Sequence, residues 1–279
     1  MLPQNEAAPI PRVSVLMTIY NTASFLRQSI ESLLAQSFTD WELIALENGS
    51  TDDSPSILLS YADPRIRVFS FSKNIGRTPG LRHAFDQARG EYIAVLDADD
   101  VSRYDRLTRQ VAFLDAHPET VLVGAWAEHM DEQGRVFDRW EPPADPGKLL
   151  DIIARRNPIV HSSAMYRRSQ ALCAGGYPLA YTYAQDFALI LALARQGQVT
   201  VIPEHLCRLR VFPGSMTRSG EYYLTFLREE LALLKYAGKT LSFSLTGRVI
   251  NILKVLKCQA GYSKALFYQH NKMCGEKIR

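Results

Sequence analysis

The chain has 279 residues, 47% of them hydrophobic and 22% charged, which excludes a disordered chain, and no run approaches the roughly 18 apolar residues of a membrane span. The net charge of +3 is unevenly spread: residues 235–279 hold nine Lys/Arg against one Glu, a net +8, and residues 1–234 carry −5. A mildly acidic body argues against nucleic acid as a partner, and a basic tail points towards an anionic surface.

Met1 to Pro11 has neither a basic nor an apolar region of a signal peptide, so none is expected. Val13 to Tyr20 is a short apolar, β-branched run and predicts a buried strand. In Phe25 to Gln36, Leu26, Ile30, Leu33 and Leu34 share one helical face. Glu42 to Leu46 predicts a second strand. The turn-rich segment Asn48 to Ser54 follows, with Ser50 and Asp53 spaced as a capping box. Ile57, Leu58 and Tyr61 suggest a short helix, and Ile66 to Phe71 a third strand. Pro79 to Arg89 reads as a helix stopped by Gly90. Tyr92 to Leu96 is a fourth strand running into Asp97-Ala98-Asp99-Asp100. This order predicts an α/β fold with a mainly parallel sheet and helices on both faces.

Further on, Arg103 to His117 predicts a helix ending at Pro118. Val121 to Met130 and Val136 to Trp140 flank the turn Asp131 to Gly134 and read as a hairpin. Ala184 to Arg195 is an apolar helix stopped by Gly197. Val199 to Ile202 and Cys207 to Phe212 are short strands, and helices alone are expected from Glu221. Cys173, Cys207, Cys258 and Cys274 form no CxxC pair, so a reduced, cytoplasmic protein without disulfides is expected.

Ligands of a parallel sheet collect at the carboxyl ends of its strands. Three of the first four strands end in polar loops, at Thr18 to Asn21, Glu47 to Ser50 and Asp97 to Asp100. Three carboxylates within four residues repel one another unless a cation compensates. Carboxylate oxygens suit Mg²⁺ or Mn²⁺, which complete their shells with phosphates and water. Asp100 alone fits a cap for a helix beginning near Ser102. Tyr20 fits either ordinary core or a stacking platform for a base. GxGxxG, a P-loop, HExxH and GxSxG are all missing.

The segments Pro11 to Asn21, Glu42 to Asp52 and Arg89 to Asp100 resemble the nucleotide-sugar half of the family 2 glycosyltransferases. Ala184-Gln185-Asp186-Phe187 and Ile202 to Ser215 resemble the family's acceptor-side segments. The likeness covers about residues 11 to 218, with its motifs in order. It implies a GT-A type fold: a donor half over about 11–100, an acceptor half over 101–218, and a basic helical extension over 219–279. It implies an inverting transfer from a nucleotide-diphosphate sugar, with a UDP-sugar as the expected donor and a divalent metal, Mn²⁺ or Mg²⁺, as cofactor. The expected acceptor is a saccharide or lipid-linked saccharide of a bacterial surface polysaccharide. Carried over by position, Thr18 and Tyr20 match the base pocket, Glu47 and Asn48 the acidic pair after the second strand, and Arg82 an arginine near the nucleotide. Asp97 and Asp99 match the DXD motif, with Asp99 as metal ligand and Asp97 near the ribose or a metal-bound water. Asp186 matches the catalytic base. Arg210 and Ser215 match a segment closing near the diphosphate, and His161 an acceptor-side loop.

Three positions depart from the pattern. Asn48 stands where many relatives have Asp, and an amide can donate as well as accept, which leaves the base open. Phe212 stands where many have His, which removes a metal or phosphate contact. Gln185 replaces a common Glu beside Asp186. Asp186 also fits a plain helix-terminal charge. A sugar-nucleotide nucleotidyltransferase would want a Gly-rich basic loop near the N-terminus, and residues 12–24 have no Gly and only Arg12. A non-catalytic sugar- or nucleotide-binding module has no need of Asp97, Asp99 and Asp186 together.

In the tail, Leu245, Val249, Ile252, Leu253 and Leu256 share one helical face, and Arg248, Asn251, Lys254 and Lys257 lie largely on the other. Such a helix either packs on the body through its apolar face or lies on an anionic membrane, which would make the protein peripheral on the cytoplasmic face.

Overall fold

The computed structural model of the chain describes residues 10–212 and 222–276. The strands are β1 (Val13–Ile19), β2 (Trp41–Asn48), β3 (Ile66–Phe71), β4 (Tyr92–Val95), β5 (Val101–Ser102), β6 (Thr120–Met130), β7 (Val136–Trp140), β8 (Met165–Arg167) and β9 (Gln198–Arg210). The helices are α1 (Ala23–Leu34), α2 (Ser54–Leu59), α3 (Arg77–Gln87), α4 (Arg106–Ala116), α5 (Pro146–Ile153), α6 (Arg168–Cys173), α7 (Gln185–Ala194), α8 (Tyr222–Thr240) and α9 (Leu245–Glu276). One sheet runs β3-β2-β1-β4-β8-β6-β9-β5, with β7 paired to β6. The first four strands are parallel. β8 is antiparallel to both β4 and β6, β9 is parallel to β6, and β5 is antiparallel to β9. The parallel order of the first four strands and the β6–β7 hairpin are as expected from the sequence, while the sheet as a whole is mixed rather than mainly parallel, because β5, β7 and β8 enter antiparallel.

Alternation along β1 feeds two cores. Val13, Val15, Met17 and Ile19 pack with Leu26, Ile30 and Leu33 of α1. Leu16 faces the other way, into the cluster holding Leu46, Leu81 and Phe85. Burial on both faces is why the strand reads as a continuous apolar run. The polar exception is Ser14, fully buried on the α3 side. Its hydroxyl donates to Glu42 at 2.7 Å and accepts from the Gly90 N–H at 2.8 Å. Glu42 in turn accepts from Arg67 at 2.9 Å and from Arg89 at 2.7 Å. Gly90 is required here because a Cβ would stand 2.6 Å from the Ser14 nitrogen.

Several elements differ from expectation. The two strands expected around residues 199–212 are one, β9. It continues through Pro203 because its pairing with β6 shifts register between Ala125 and Trp126, and a proline is tolerated where the ladder is broken. α4 starts at Arg106, since Val101 and Ser102 are drawn into the sheet by Cys207 and Arg208. The carboxylate before α2 is Asp52 and not Asp53: it accepts from Ser54 N–H at 3.0 Å and Ala23 N–H at 2.9 Å. The stretch 141–183 holds α5, β8 and α6, none of which the periodicity singles out. Asp145-Pro146 was a readable start, with Asp145 accepting from the Lys148 N–H at 2.8 Å and proline at the first helical position.

The C-terminal helices share the core of the body. Leu233, Leu234, Ala237, Phe243 and Cys258 are buried in one cluster with Leu149, Ile153 and Leu191. The side of α9 that faces the body is mixed: Cys258 and Val255 pack against the core, and buried Asn251 donates to the Ala154 carbonyl at 2.8 Å and the Leu234 carbonyl at 3.0 Å. α9 therefore packs on the body, one of the two arrangements expected of this helix, but through the side opposite its apolar stripe. Among the described residues, no helix is long and apolar enough to cross a membrane.

Candidate active site

Where β4 ends, Asp97, Asp99 and Asp100 open onto a cavity of about 540 Å³. Arg77 enters from α3, His161 from a 3-10 turn at residues 161–163, Gln185 and Asp186 from the start of α7, and Arg210 from the end of β9. Residues far apart in sequence therefore meet at the carboxyl end of the sheet, where a parallel α/β fold places its ligands.

Arg77 is the hub of this site. One guanidinium nitrogen donates to both Asp97 oxygens, at 2.8 and 2.7 Å, and lies 3.3 Å from His161 Nδ1. Its Nε donates to Gln185 Oε1 at 3.1 Å, with the amide oriented so that its nitrogen serves the carbonyls of Tyr183 and Thr182. A glutamate at 185 could not donate to those carbonyls. His161 Nε2 lies 2.9 Å from the Tyr177 hydroxyl, so the ring is held at both nitrogens. Sequence reasoning missed Arg77. The arginine it singled out, Arg82, lies further along α3, bonded to Asp86 at 3.1 Å and to the Gly175 carbonyl at 2.7 Å. Both belong to a segment rich in arginine, and only the helix phase shows which one turns towards the carboxylates.

The three aspartates differ sharply. Burial pushes the Asp97 carboxyl up, but the guanidinium of Arg77 and the imidazole of His161 outweigh it and hold the group well below the usual range. Asp99 is pushed up to about 6, by burial and then by its neighbour Asp97. Asp100 is pushed well above the ordinary value by burial and by both neighbours. It does not cap a helix. It accepts from the Ser162 hydroxyl and from the Arg210 N–H, the latter at 2.8 Å, tying β4, the 3-10 turn and β9 together.

Arg210 is buried, and its side chain is committed to the fold. It donates to the carbonyls of Asp99 at 3.0 Å, Asp131 at 3.0 Å and Glu132 at 2.8 Å, and to Gln28. Its guanidinium lies 4.5 Å over the Phe25 ring, which packs against Phe212 at 5.3 Å. Arg210 thus braces the backbone at Asp99, and Phe212 belongs to the same stack. Ser215 lies outside the described residues.

Asp186 sits in the first turn of α7, where a helix favours negative charge. One oxygen accepts from the Asn157 amide at 2.9 Å and the other from the Phe187 N–H at 2.7 Å. The loop leading into it is held from α8. Buried Glu229 accepts from the N–H groups of Thr182 at 2.7 Å, Tyr183 at 2.9 Å and Ala184 at 3.0 Å. Arg156, His129, Phe226 and Glu230 also line the cavity. Arg156 stacks on Trp140 at 4.4 Å. None of these was singled out in the sequence, and Glu229 carries no motif by which it could have been.

The other expected site residues lie along the rim outside this cavity. Tyr20 is 44% exposed at the end of β1, and Thr18 sits beneath α3, where its methyl would be 3.4 Å from a Cβ on Gly80. Glu47 accepts from the Ser50 N–H at 2.6 Å. Asn48 accepts from the Ile75 N–H at 3.0 Å and donates to Asn74 at 3.1 Å and to the Gly76 carbonyl at 3.3 Å. Both residues hold the loops that flank the rim, and Asn48 uses the two-sided hydrogen bonding that an aspartate lacks.

The model of the family "Glycosyl transferase family 2" matches residues 14–172. Putative glycosyltransferase EpsE of Bacillus subtilis is 39% identical over 171 residues, 60% of this chain and 60% of EpsE, so the chain spans well under two thirds of that relative's length. The amylovoran biosynthesis glycosyltransferase AmsE of Erwinia amylovora is 26% identical over 239 residues, covering 82% of this chain and 88% of AmsE. Among solved structures, residues 1–349 of S. aureus TarS in complex with UDP-GlcNAc superpose with a TM-score of 0.70 at 18% identity, over 89% of this chain and 71% of that one. The mannosyltransferase PcManGT of Pyrobaculum calidifontis, in complex with GDP-Man and Mn²⁺, gives 0.65 at 19% identity, over 93% and 76%. At such identities these likenesses concern the GT-A type fold.

Proposed function

The chain belongs to glycosyl transferase family 2, and from that premise we propose that it transfers a sugar, with inversion, from a nucleotide-diphosphate donor to a saccharide or lipid-linked saccharide acceptor. The observation that carries this reading is the meeting of Asp186 with Asp97 and Asp99 in one cavity, with Arg77 between them. An acceptor hydroxyl is a weak nucleophile until its proton is taken. Asp186 takes that proton as the acceptor oxygen bonds to the anomeric carbon. The bond from that carbon to the diphosphate oxygen breaks on the opposite face, and the electron pair leaves with the nucleoside diphosphate. Asn157 and the helix start orient Asp186 for this step. Arg77 holds Asp97 and, with His161, fixes the wall beside the departing group.

Asp99 suits a divalent metal, Mn²⁺ or Mg²⁺. It is a half-buried carboxylate lining the cavity, and the neighbouring Arg77 is given to Asp97. Such a metal would neutralise charge on the leaving diphosphate. Among the described residues no three-ligand cluster forms, which fits a shell completed by the donor's phosphates and water. The UDP-GlcNAc complex of TarS supports a UDP-sugar donor, and the GDP-Man and Mn²⁺ complex of PcManGT supports metal use. The names of AmsE and of TuaG, for amylovoran and teichuronic acid biosynthesis, support an acceptor on a surface polysaccharide. In this reading residues 11–100 hold the donor, 101–218 the acceptor side, and the extension 219–279 braces the base and meets the cytoplasmic face of an anionic membrane. Incubation with labelled nucleotide sugars, Mn²⁺ and a saccharide acceptor should release nucleoside diphosphate. Release of pyrophosphate would point instead to a nucleotidyltransferase, and binding without release to a non-catalytic module.

A further inference from the structure

The apolar side of α9 faces away from the protein. Leu245 is 81% exposed, Val249 50%, Ile252 59%, Leu253 60% and Leu256 58%. At 100° per residue these five span about a third of the helix circumference. Arg248 borders the stripe on one side and Lys257 on the other, both exposed. The inward side is satisfied without them, by Asn251, Cys258, and Lys254 paired with Glu230 at 3.0 Å. Exposing five large aliphatic residues in a row is costly in water, and monomeric soluble proteins rarely do so without a partner.

We propose that this outward face of α9 is a docking surface for an anionic phospholipid bilayer, with the five aliphatic side chains in the acyl boundary and Arg248 and Lys257 at the headgroups. The proposal rests on the reading that the acceptor is presented at a membrane, and it names the surface that does the docking. Charge selects the occupant. The stripe lies within a segment of net +8 on a chain whose remainder is −5. A second copy docked through the same face would bring two such segments together and repel. An anionic bilayer complements both the aliphatic stripe and its basic borders. The geometry also suits a lipid-linked acceptor. Lys254, on the far side of α9, pairs with Glu230, which lines the cavity. The far side of α9 is thereby tied to the cavity wall through α8.

The test is co-flotation of the full chain with vesicles of phosphatidylcholine alone, and of phosphatidylcholine mixed with phosphatidylglycerol. Binding is expected to the mixed vesicles at low salt and to weaken at high salt as screening shortens the reach of the cations. Ile252→Asp with Leu256→Asp should lower the partition coefficient by about tenfold or more, since two aliphatic contacts are replaced by charges. Arg248→Glu with Lys257→Glu should lower it for the mixed vesicles only. Both variants alter exposed positions and should keep the wild-type unfolding midpoint and release of nucleoside diphosphate with a soluble saccharide acceptor. Failure of the wild type to float with mixed vesicles, equal flotation with neutral vesicles, or undiminished binding by the Asp pair would overturn the proposal. So would a dimer by light scattering that the Asp pair dissolves, which would assign the face to a second copy. Flotation is read without catalysis, so absence of any sugar transfer would refute the enzymatic reading and leave the docking result standing by itself.

Discussion

Replacing Glu229 removes the one side chain that accepts all three N–H groups of Thr182, Tyr183 and Ala184. Thr182 is exposed and can recover water, whereas Ala184 is buried and Tyr183 half-buried. In Glu229→Ala two enclosed donors lose their acceptor at about 1–3 kcal/mol each. Adding the small void left by the side chain, the expected cost is about 3–5 kcal/mol. Glu229→Gln keeps the shape and one acceptor oxygen but turns an NH₂ towards an N–H, so about 1–2 kcal/mol is expected. Urea unfolding followed by tryptophan fluorescence reads both values. The same loop runs straight into Asp186, so misplacement of the base should lower kcat by about 10- to 100-fold while the Kd for nucleoside diphosphate stays within twofold. An Ala variant that lost under about 1 kcal/mol, or that kept wild-type kcat, would show that α8 does not hold the base loop.

Asp186→Asn should leave donor binding intact and lower transfer by roughly 10²–10⁴-fold, because the amide cannot take the proton; an unchanged rate in a stopped assay would move the base elsewhere. Asp99→Ala should abolish the response of turnover to Mn²⁺ with the unfolding midpoint preserved, and near-normal Mn²⁺-dependent rates would refute its role as ligand. Arg77→Met should cost about 1–3 kcal/mol of stability, since it leaves half-buried Asp97 without its cation, and calorimetry showing no loss would contradict the hub. Glu42→Gln should cost about 2–3 kcal/mol near neutrality, discounted because Arg67 and Arg89 are partly exposed. Burial raises the Glu42 pKa, but Arg89, Ser14 and Arg67 bring it below its ordinary 4.5. Its contribution is therefore fully present above about 4.5 and is lost as the pH falls through the lower folded value. The gap between wild type and Glu42→Gln should close on acidification, and a gap independent of pH would refute the assignment.

The first hundred residues could be read almost element by element. There β1, β2 and β4 are buried on both faces, so composition and period coincide with position: Val13 to Ile19 is apolar because both neighbouring layers are. The carboxylates at the end of β4 were visible for a related reason, since three charges in four residues at a strand end are out of place in any core. Beyond residue 140 the signal fades. β8 is three residues long and α6 six, too short to show a period, and β9 was split because Pro203 looks like a stop until the register shift against β6 is known.

Sequence by itself determined the α/β order, the carboxylates Asp97, Asp99 and Asp100 at a strand end, Asp186 as a charge at a helix start, and a basic amphipathic tail. What the tertiary structure decided was which groups pair. Arg77 rather than Arg82 meets Asp97, Arg210 spends its donors on loop carbonyls, and Glu229 reaches across from α8 to the loop before Asp186. It also decided that α9 turns Asn251 inward and Leu245, Leu253 and Leu256 out. Periodicity records how a residue relates to its own element, because a helix or strand repeats along one axis. A hydrogen bond between residues 182 and 229 has no such repeat, and the direction an amphipathic face points depends on what the rest of the chain leaves to be covered.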